Sequence, residues 1–69
     1  MERIPVVSSN IDSIGYDEDS NTLEIGFKND TVYQYFDIPV HMYFGIMDAD
    51  SKGQFLAQNI KGKYRYVKV

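Results

Sequence analysis

The sequence predicts an α+β domain: an antiparallel three-stranded β-meander, then two short helices, then a fourth strand at the C-terminal end. Two observations carry this prediction. Three β-rich runs of alternating polarity are separated by turn residues in the first half, and the apolar period changes to a helical one after Pro39.

The three runs are Asn10 to Tyr16, Thr22 to Lys28 and Thr31 to Phe36, with Asp17-Glu18-Asp19-Ser20-Asn21 and Asn29-Asp30 as the breaks. Asn29 and Asp30 both tolerate positive φ, so a two-residue hairpin there would set Phe27 opposite Val32, Ile25 opposite Gln34 and Leu23 opposite Phe36. In that register Leu23, Ile25, Phe27, Val32 and Phe36 form the core face. Tyr33 and Tyr35 fall on the other face with Glu24, Gly26 and Lys28, the Tyr33 ring covering the slot left by Gly26.

Val40, Met42, Tyr43, Phe44, Ile46 and Met47 suit a short helix entered at Pro39 and ended by Asp48 to Asp50. Ser51-Lys52-Gly53-Gln54 has the form of a capping box and opens a second helix that runs to about Lys61, with Phe55, Leu56 and Ile60 as its apolar stripe. Gly62 supplies a left-handed residue to close it. The tail from Lys63 to Val69 alternates strong β-formers with charges and reads as the fourth strand.

A chain of 69 residues makes one domain, residues 1 to 69, with one thin core. Surface scaling gives about 4,500 Å² exposed when folded, roughly 60% of the unfolded surface being buried. The absence of cysteine removes disulfides, thiolate metal sites and thiol catalysis together. No run is apolar and long enough to span a membrane, and Met1-Glu2-Arg3-Ile4-Pro5 is no signal sequence, so a cytoplasmic location is expected.

Ile4-Pro5-Val6, Ser8-Ser9-Asn10-Ile11, Ile14-Gly15-Tyr16, Leu23-Glu24-Ile25, Tyr33-Gln34-Tyr35, Ile38-Pro39, Ser51-x-Gly53-x-Phe55 and Ile60-Lys61 together resemble the KTSC domain across nearly the whole chain. That family is named for its occurrence at the C-terminus of some lysyl-tRNA synthetases and also occurs as short free-standing bacterial and viral proteins. The resemblance implies no reaction and no cofactor; attachment to a synthetase suggests RNA as a partner. Two positions depart from the family's usual pattern: Asp30 stands where glycine is common, and Ala57 where asparagine is frequent.

The residues offer little for catalysis. His41 is the single histidine and lies in a helical first turn without a nucleophile motif around it. Asp17-x-Asp19-x-Asn21 starts like a calcium loop, but Thr22 stands where glycine and Lys28 where glutamate are required, so no metal site is expected. Gly53, in the first turn of the second helix, suits either close packing or the approach of an anion.

Tyrosines and charge position are more informative. The formal charge is −3, yet residues 51 to 69 hold five basic residues and no acid (+5), whereas residues 1 to 50 hold two basic residues and all ten acids (−8). Bulk coating of nucleic acid is thereby excluded, and a local basic patch among tyrosines is expected at the C-terminal end. The candidate binding residues are Tyr33, Tyr35, Lys61, Lys63, Arg65 and Tyr66, the rings stacking on bases and the cations neutralising phosphates of RNA or a nucleotide. The same tyrosines are also ordinary cross-strand packing residues. A protein-interaction or self-assembly module, in which the +5 end of one copy meets the −8 body of another, therefore stands as the alternative to RNA binding. A homo-oligomeric binder of a small nucleotide is the third reading.

Overall fold

The computed structural model describes all residues, 1–69. Five strands form one antiparallel sheet in sequence order: β1 (Ile4–Pro5), β2 (Ile11–Asp17), β3 (Thr22–Phe27), β4 (Val32–Tyr35) and β5 (Tyr66–Lys68). Helices α1 (Val40–Asp48) and α2 (Lys52–Asn59) lie between β4 and β5 in the chain. The α+β class, the meander, both helices and the C-terminal strand agree with the sequence reading. The additional strand is β1, which is two residues long, ends in proline and pairs Ile4 with Ile14 and Pro5 with Ser13.

The β3–β4 hairpin differs from the expected one by a single residue, and the difference reverses the sheet's faces. Its loop holds three residues, Lys28, Asn29 and Asp30, because the Phe27 amide donates to the Thr31 carbonyl at 2.8 Å. The Asp30 amide donates to Phe27 at 3.1 Å, and Asp30 itself takes a left-handed φ of 68°. A turn followed by one left-handed residue is the usual way to close a three-residue hairpin. The observed pairs are Gly26 with Val32, Ile25 with Tyr33, Glu24 with Gln34 and Leu23 with Tyr35. Since side chains alternate, one residue of slip moves every side chain of β4 to the opposite face. Tyr33 and Tyr35 therefore lie with Leu23 and Ile25 on the helix side, not on the open side. Val32 and Gln34 lie on the open side with Glu24 and Gly26.

The core is on the helix side: Ile11, Ile14, Leu23, Ile25, Tyr35, Ile38, Ile46, Leu56 and Ile60. Six of these nine are isoleucine, whose stiff side chains lose little rotamer freedom on packing. The total accessible surface is 4368 Å², in line with expectation from size. Asp37, at φ 60°, turns the chain out of β4 so that Ile38 enters the core and its amide reaches the Asn21 carbonyl at 2.9 Å. Pro39 is the residue before the first helical turn, in extended geometry, and cannot continue a strand. Helix α1 packs against α2 at Gly45, where an added Cβ would come within 2.7 Å of the Phe55 ring. Ser51 caps α2 by accepting from the Gln54 amide at 3.3 Å, and Gly62 has the left-handed φ of 78° expected past the helix end.

Gly53 lies against the Asn10 side chain, and an added Cβ would come within 2.9 Å of Asn10 Oδ1, so close packing occupies that position. The carboxylates of the β2–β3 turn are used locally: Asp17 accepts from the Asp19 amide at 3.1 Å and from the Ser20 hydroxyl at 3.0 Å.

On the open side, Arg3 lies across the sheet. Its guanidinium donates to Ser13 at 2.9 Å and to Glu24 at 2.7 Å, while Gln34 donates to the other Glu24 oxygen at 2.8 Å. The slot above Gly26 is thus filled by Arg3 and not by a tyrosine. Glu24 is 8% exposed, and its carboxyl is held below the ordinary value of 4.5, first by the Gln34 hydrogen bond and then by Arg3, against the opposing cost of burial.

Two outcomes follow for stability. Asp30→Val should cost about 1–2 kcal/mol through its left-handed backbone, whereas Asp30→Gly should be tolerated, as read from urea midpoints. Because the folded Glu24 pKa lies below the unfolded one, its contribution is complete above 4.5 and is lost as pH falls through the lowered value. Glu24→Gln should cost about 1.5–3 kcal/mol at neutral pH, and the gap to the parent protein should narrow on acidification.

Candidate binding site

Because the helices do not cover the β4–β5 end of the sheet, a basin opens there on the helix side. Its floor is aromatic. The Tyr33 and Tyr35 rings lie 6.4 Å apart at 21°, and Tyr66, paired across the sheet with Tyr35, lies 5.7 Å from Tyr33 and 5.9 Å from Tyr35. Phe27 meets Tyr33 edge-on at 5.7 Å. The rim carries Lys28 from the hairpin loop, Lys61 after α2 and Lys68 from β5. Ser9, Asn10, Asn29 and Thr31 add polar groups, and no carboxylate lines the basin, whose volume is about 1160 Å³.

The three lysines are electrostatically free. The chain's two ion pairs are Arg3 with Glu24 and Arg65 with Asp37, so no lysine is paired with a carboxylate. The phenol groups are free as well: Tyr16 donates to the Ile38 carbonyl, but Tyr33, Tyr35 and Tyr66 have no partner within the chain. No buried side-chain oxygen is left unpaired, so the half-buried Tyr33 and the buried Tyr35 both reach water at their hydroxyl ends. Burial, then the neighbouring phenols of Tyr33 and Tyr66, push the Tyr35 phenol above its ordinary 10.0, so it stays a hydrogen-bond donor.

Of the six residues singled out from sequence, the structure brings Tyr33, Tyr35, Lys61 and Tyr66 into this basin. Their parts differ. Tyr66 is 60% exposed and presents a ring, whereas Tyr35 is 2% exposed and supports the other two from below. Lys63 and Arg65 line a shallower recess next to it with Phe36 and Tyr64, and Tyr66 borders both. Arg65 sits 5.4 Å over the Phe36 ring and pairs with Asp37 at 3.1 Å, both groups being well exposed. Lys28 and Lys68 were not singled out. Lys68 stands two residues after Tyr66 and so shares its face, a signal present in the sequence. Lys28 reaches the rim from the three-residue loop. His41 is exposed at the start of α1, away from the basin. No helix of the chain is long and apolar enough to cross a membrane.

Comparison with known proteins places the match along most of the chain. The KTSC domain matches residues 7–64. A crystal structure of a KTSC domain protein from Yersinia pestis is similar with a TM-score of 0.95 at 46% identity, over 99% of this chain and 96% of that one. An uncharacterised protein of Stutzerimonas stutzeri is 33% identical over 70 residues, which is 100% of this chain and 99% of its own length. A lysine–tRNA ligase of Trichormus variabilis is 37% identical over 51 residues, covering 74% of this chain but 9% of the ligase.

The different depths of the tyrosines make a prediction that separates packing from binding. Tyr35→Ala should cost about 3–5 kcal/mol of stability, as removal of a buried aromatic does, and Tyr66→Ala less than about 1 kcal/mol, by denaturant titration.

Proposed function

Since the chain belongs to the KTSC domain family, and since part of a lysine–tRNA ligase is among its relatives, we propose that it is a non-enzymatic cytoplasmic module that binds single-stranded RNA in the tyrosine-floored basin. The observation that carries this reading is the juxtaposition of an exposed aromatic surface, Tyr66 over Tyr33 and Tyr35, with three unpaired lysines and no acid. A base stacks on an aromatic face while Lys28, Lys61 and Lys68 neutralise the adjoining phosphates. The basin's volume of about 1160 Å³ and its open form favour a strand over a single nucleotide, since small-molecule pockets run to about 300–1,000 Å³ and enclose most of their ligand. The acidic body restricts contact with a polyanion to this one end.

Fluorescence anisotropy with labelled RNA tests the proposal. Neutralising three phosphates on a single strand gives a log–log salt slope of about −2, and Lys68→Ala should make it shallower by about 0.7. Tyr66→Ala should weaken binding by about 1–3 kcal/mol, roughly 5- to 150-fold in Kd. Salt-insensitive or undetectable binding to a panel of single- and double-stranded RNAs would sink the reading. Thermal shifts with cyclic and linear nucleotides test the small-ligand form of the same chemistry.

One observation favours self-assembly as a second reading. Strand β5 is an edge of the sheet, and Val67 within it and Val69 just after it are 42% and 63% exposed. Light scattering after size exclusion checks it, and a strictly monomeric protein over a wide concentration range removes it.

A further inference from the structure

The open side of the sheet, opposite the basin, holds a second built site. Glu24 is 8% exposed in mid-strand and is aimed out of the sheet, with Gln34 on one oxygen and the Arg3 guanidinium on the other. Ser13, itself 6% exposed, accepts from the Arg3 Nε. Two glycines make room. A Cβ on Gly26 would come within 2.9 Å of the Ser13 hydroxyl and 3.0 Å of the Arg3 Nε, and one on Gly15 within 2.6 Å of the Glu2 carbonyl. Carboxylate, hydroxyl and glycine floor thus match a flat, forked cation, which an ammonium cannot replace donor for donor.

Apart from the half-buried Val6, which packs against the core, the segment that brings Arg3 to this slot is lightly held. Strand β1 has two residues, Ile4 is 51% exposed, Val7 is 93% exposed, and one further backbone bond joins the Val6 amide to the Asp12 carbonyl at 3.1 Å. Lifting β1 would uncover both the slot and the backbone edge of β2, to which an extended peptide could pair in its place.

We propose that the slot formed by Glu24, Ser13, Gly15 and Gly26 is a guanidinium-binding site, filled within the chain by Arg3, and that it accepts the arginine of an extended peptide added along β2 when β1 is displaced. Arg3 is then an internal ligand, and residues 1–6 show how an external peptide is read: ladder bonds along β2 for affinity, arginine in the slot for specificity. The site lies on the face opposite the tyrosine basin, so it is independent of the RNA reading.

The test begins with the full-length Arg3→Ala variant and ethylguanidinium at millimolar concentration, followed by thermal unfolding. The Tm of Arg3→Ala should rise by about 4–8 °C, a shift typical of a small domain when a ligand fills its site several times above Kd. Ethylammonium should not produce it, and neither the parent protein nor Arg3→Ala/Glu24→Gln should respond to ethylguanidinium. Should Arg3→Ala not fold alone, recovery of its circular dichroism on adding ethylguanidinium is the readout, and Arg3→Lys, which keeps the charge without the fork, should remain destabilised. Absence of rescue, an equal shift with ethylammonium, or an equal shift in the double variant overturns the guanidinium site. A labelled peptide with the sequence of residues 1–6 should bind Arg3→Ala saturably, and its citrulline counterpart should not. No difference between the two peptides overturns peptide recognition even where ethylguanidinium rescues.

Discussion

One residue in one hairpin governs the arrangement of this molecule. The left-handed Asp30 closes a three-residue loop, and the parity of that loop decides which side chains of β4 meet the helices. With this parity Tyr35 completes the core, Tyr33 and Tyr66 spread beside it as an aromatic floor, and Gln34 is delivered to Glu24 on the far side. With the opposite parity the tyrosines would face water, Gln34 would enter an isoleucine core without a partner, and Glu24 would lose a hydrogen bond. A buried unpaired amide costs about 1–3 kcal/mol, so the hydrophobic and polar preferences of β4 select the same register that the turn imposes.

The two faces of the sheet divide the chemistry of a very small protein. On the helix side nine residues form the core, and the part of the sheet that two helices of nine and eight residues cannot cover is closed by rings instead of aliphatic side chains. Rings suit such a margin because one edge can be buried while the hydroxyl meets water. On the open side there is no second layer of helices, and a charge-assisted network takes its place. Arg3 covers Gly15 with its apolar stem and Gly26 with its guanidinium, which also satisfies the carboxylate.

Much of this was legible in the residues, and what was not has a common cause. The helices, the Ser51 cap and the left-handed Gly62 are set by local preferences within a few residues, and the sequence displays them. The family resemblance was likewise carried by short ordered motifs. Register is different, because Asn29-Asp30 is compatible with a two-residue loop as well as with the last part of a three-residue one, and only the pairing of distant residues decides. The placing of Tyr33 and Tyr35 on the open face and the assignment of Gly26 to a tyrosine ring both descend from that single ambiguity, whereas Lys28 shares a face with the tyrosines even in the two-residue register. Strand β1 has no sequence signature, because two residues ending in proline carry no alternation to read. Arg65 adjoins Tyr66 in sequence but precedes β5 and turns onto the Phe36 ring, a contact between distant residues that sequence proximity does not reveal.

Strand β5 joins the sheet only after both helices have been traversed, pairing Lys68 with Tyr33 across a long intervening segment, whereas the other neighbouring strands are joined by short loops. Closing that loop carries the largest entropic cost of any pairing in the molecule. The order of events during folding is thereby biased: the meander can form from local contacts, and the wall of the basin that bears Tyr66 and Lys68 arrives last. That wall is also prone to fray, since all three residues of β5 are exposed. Opening it would abolish the basin while leaving eight core residues and Tyr35 in place. Occupancy of the basin and attachment of the last strand are then linked equilibria, so a ligand there would protect the β5 amides from hydrogen exchange well before it altered the global unfolding transition.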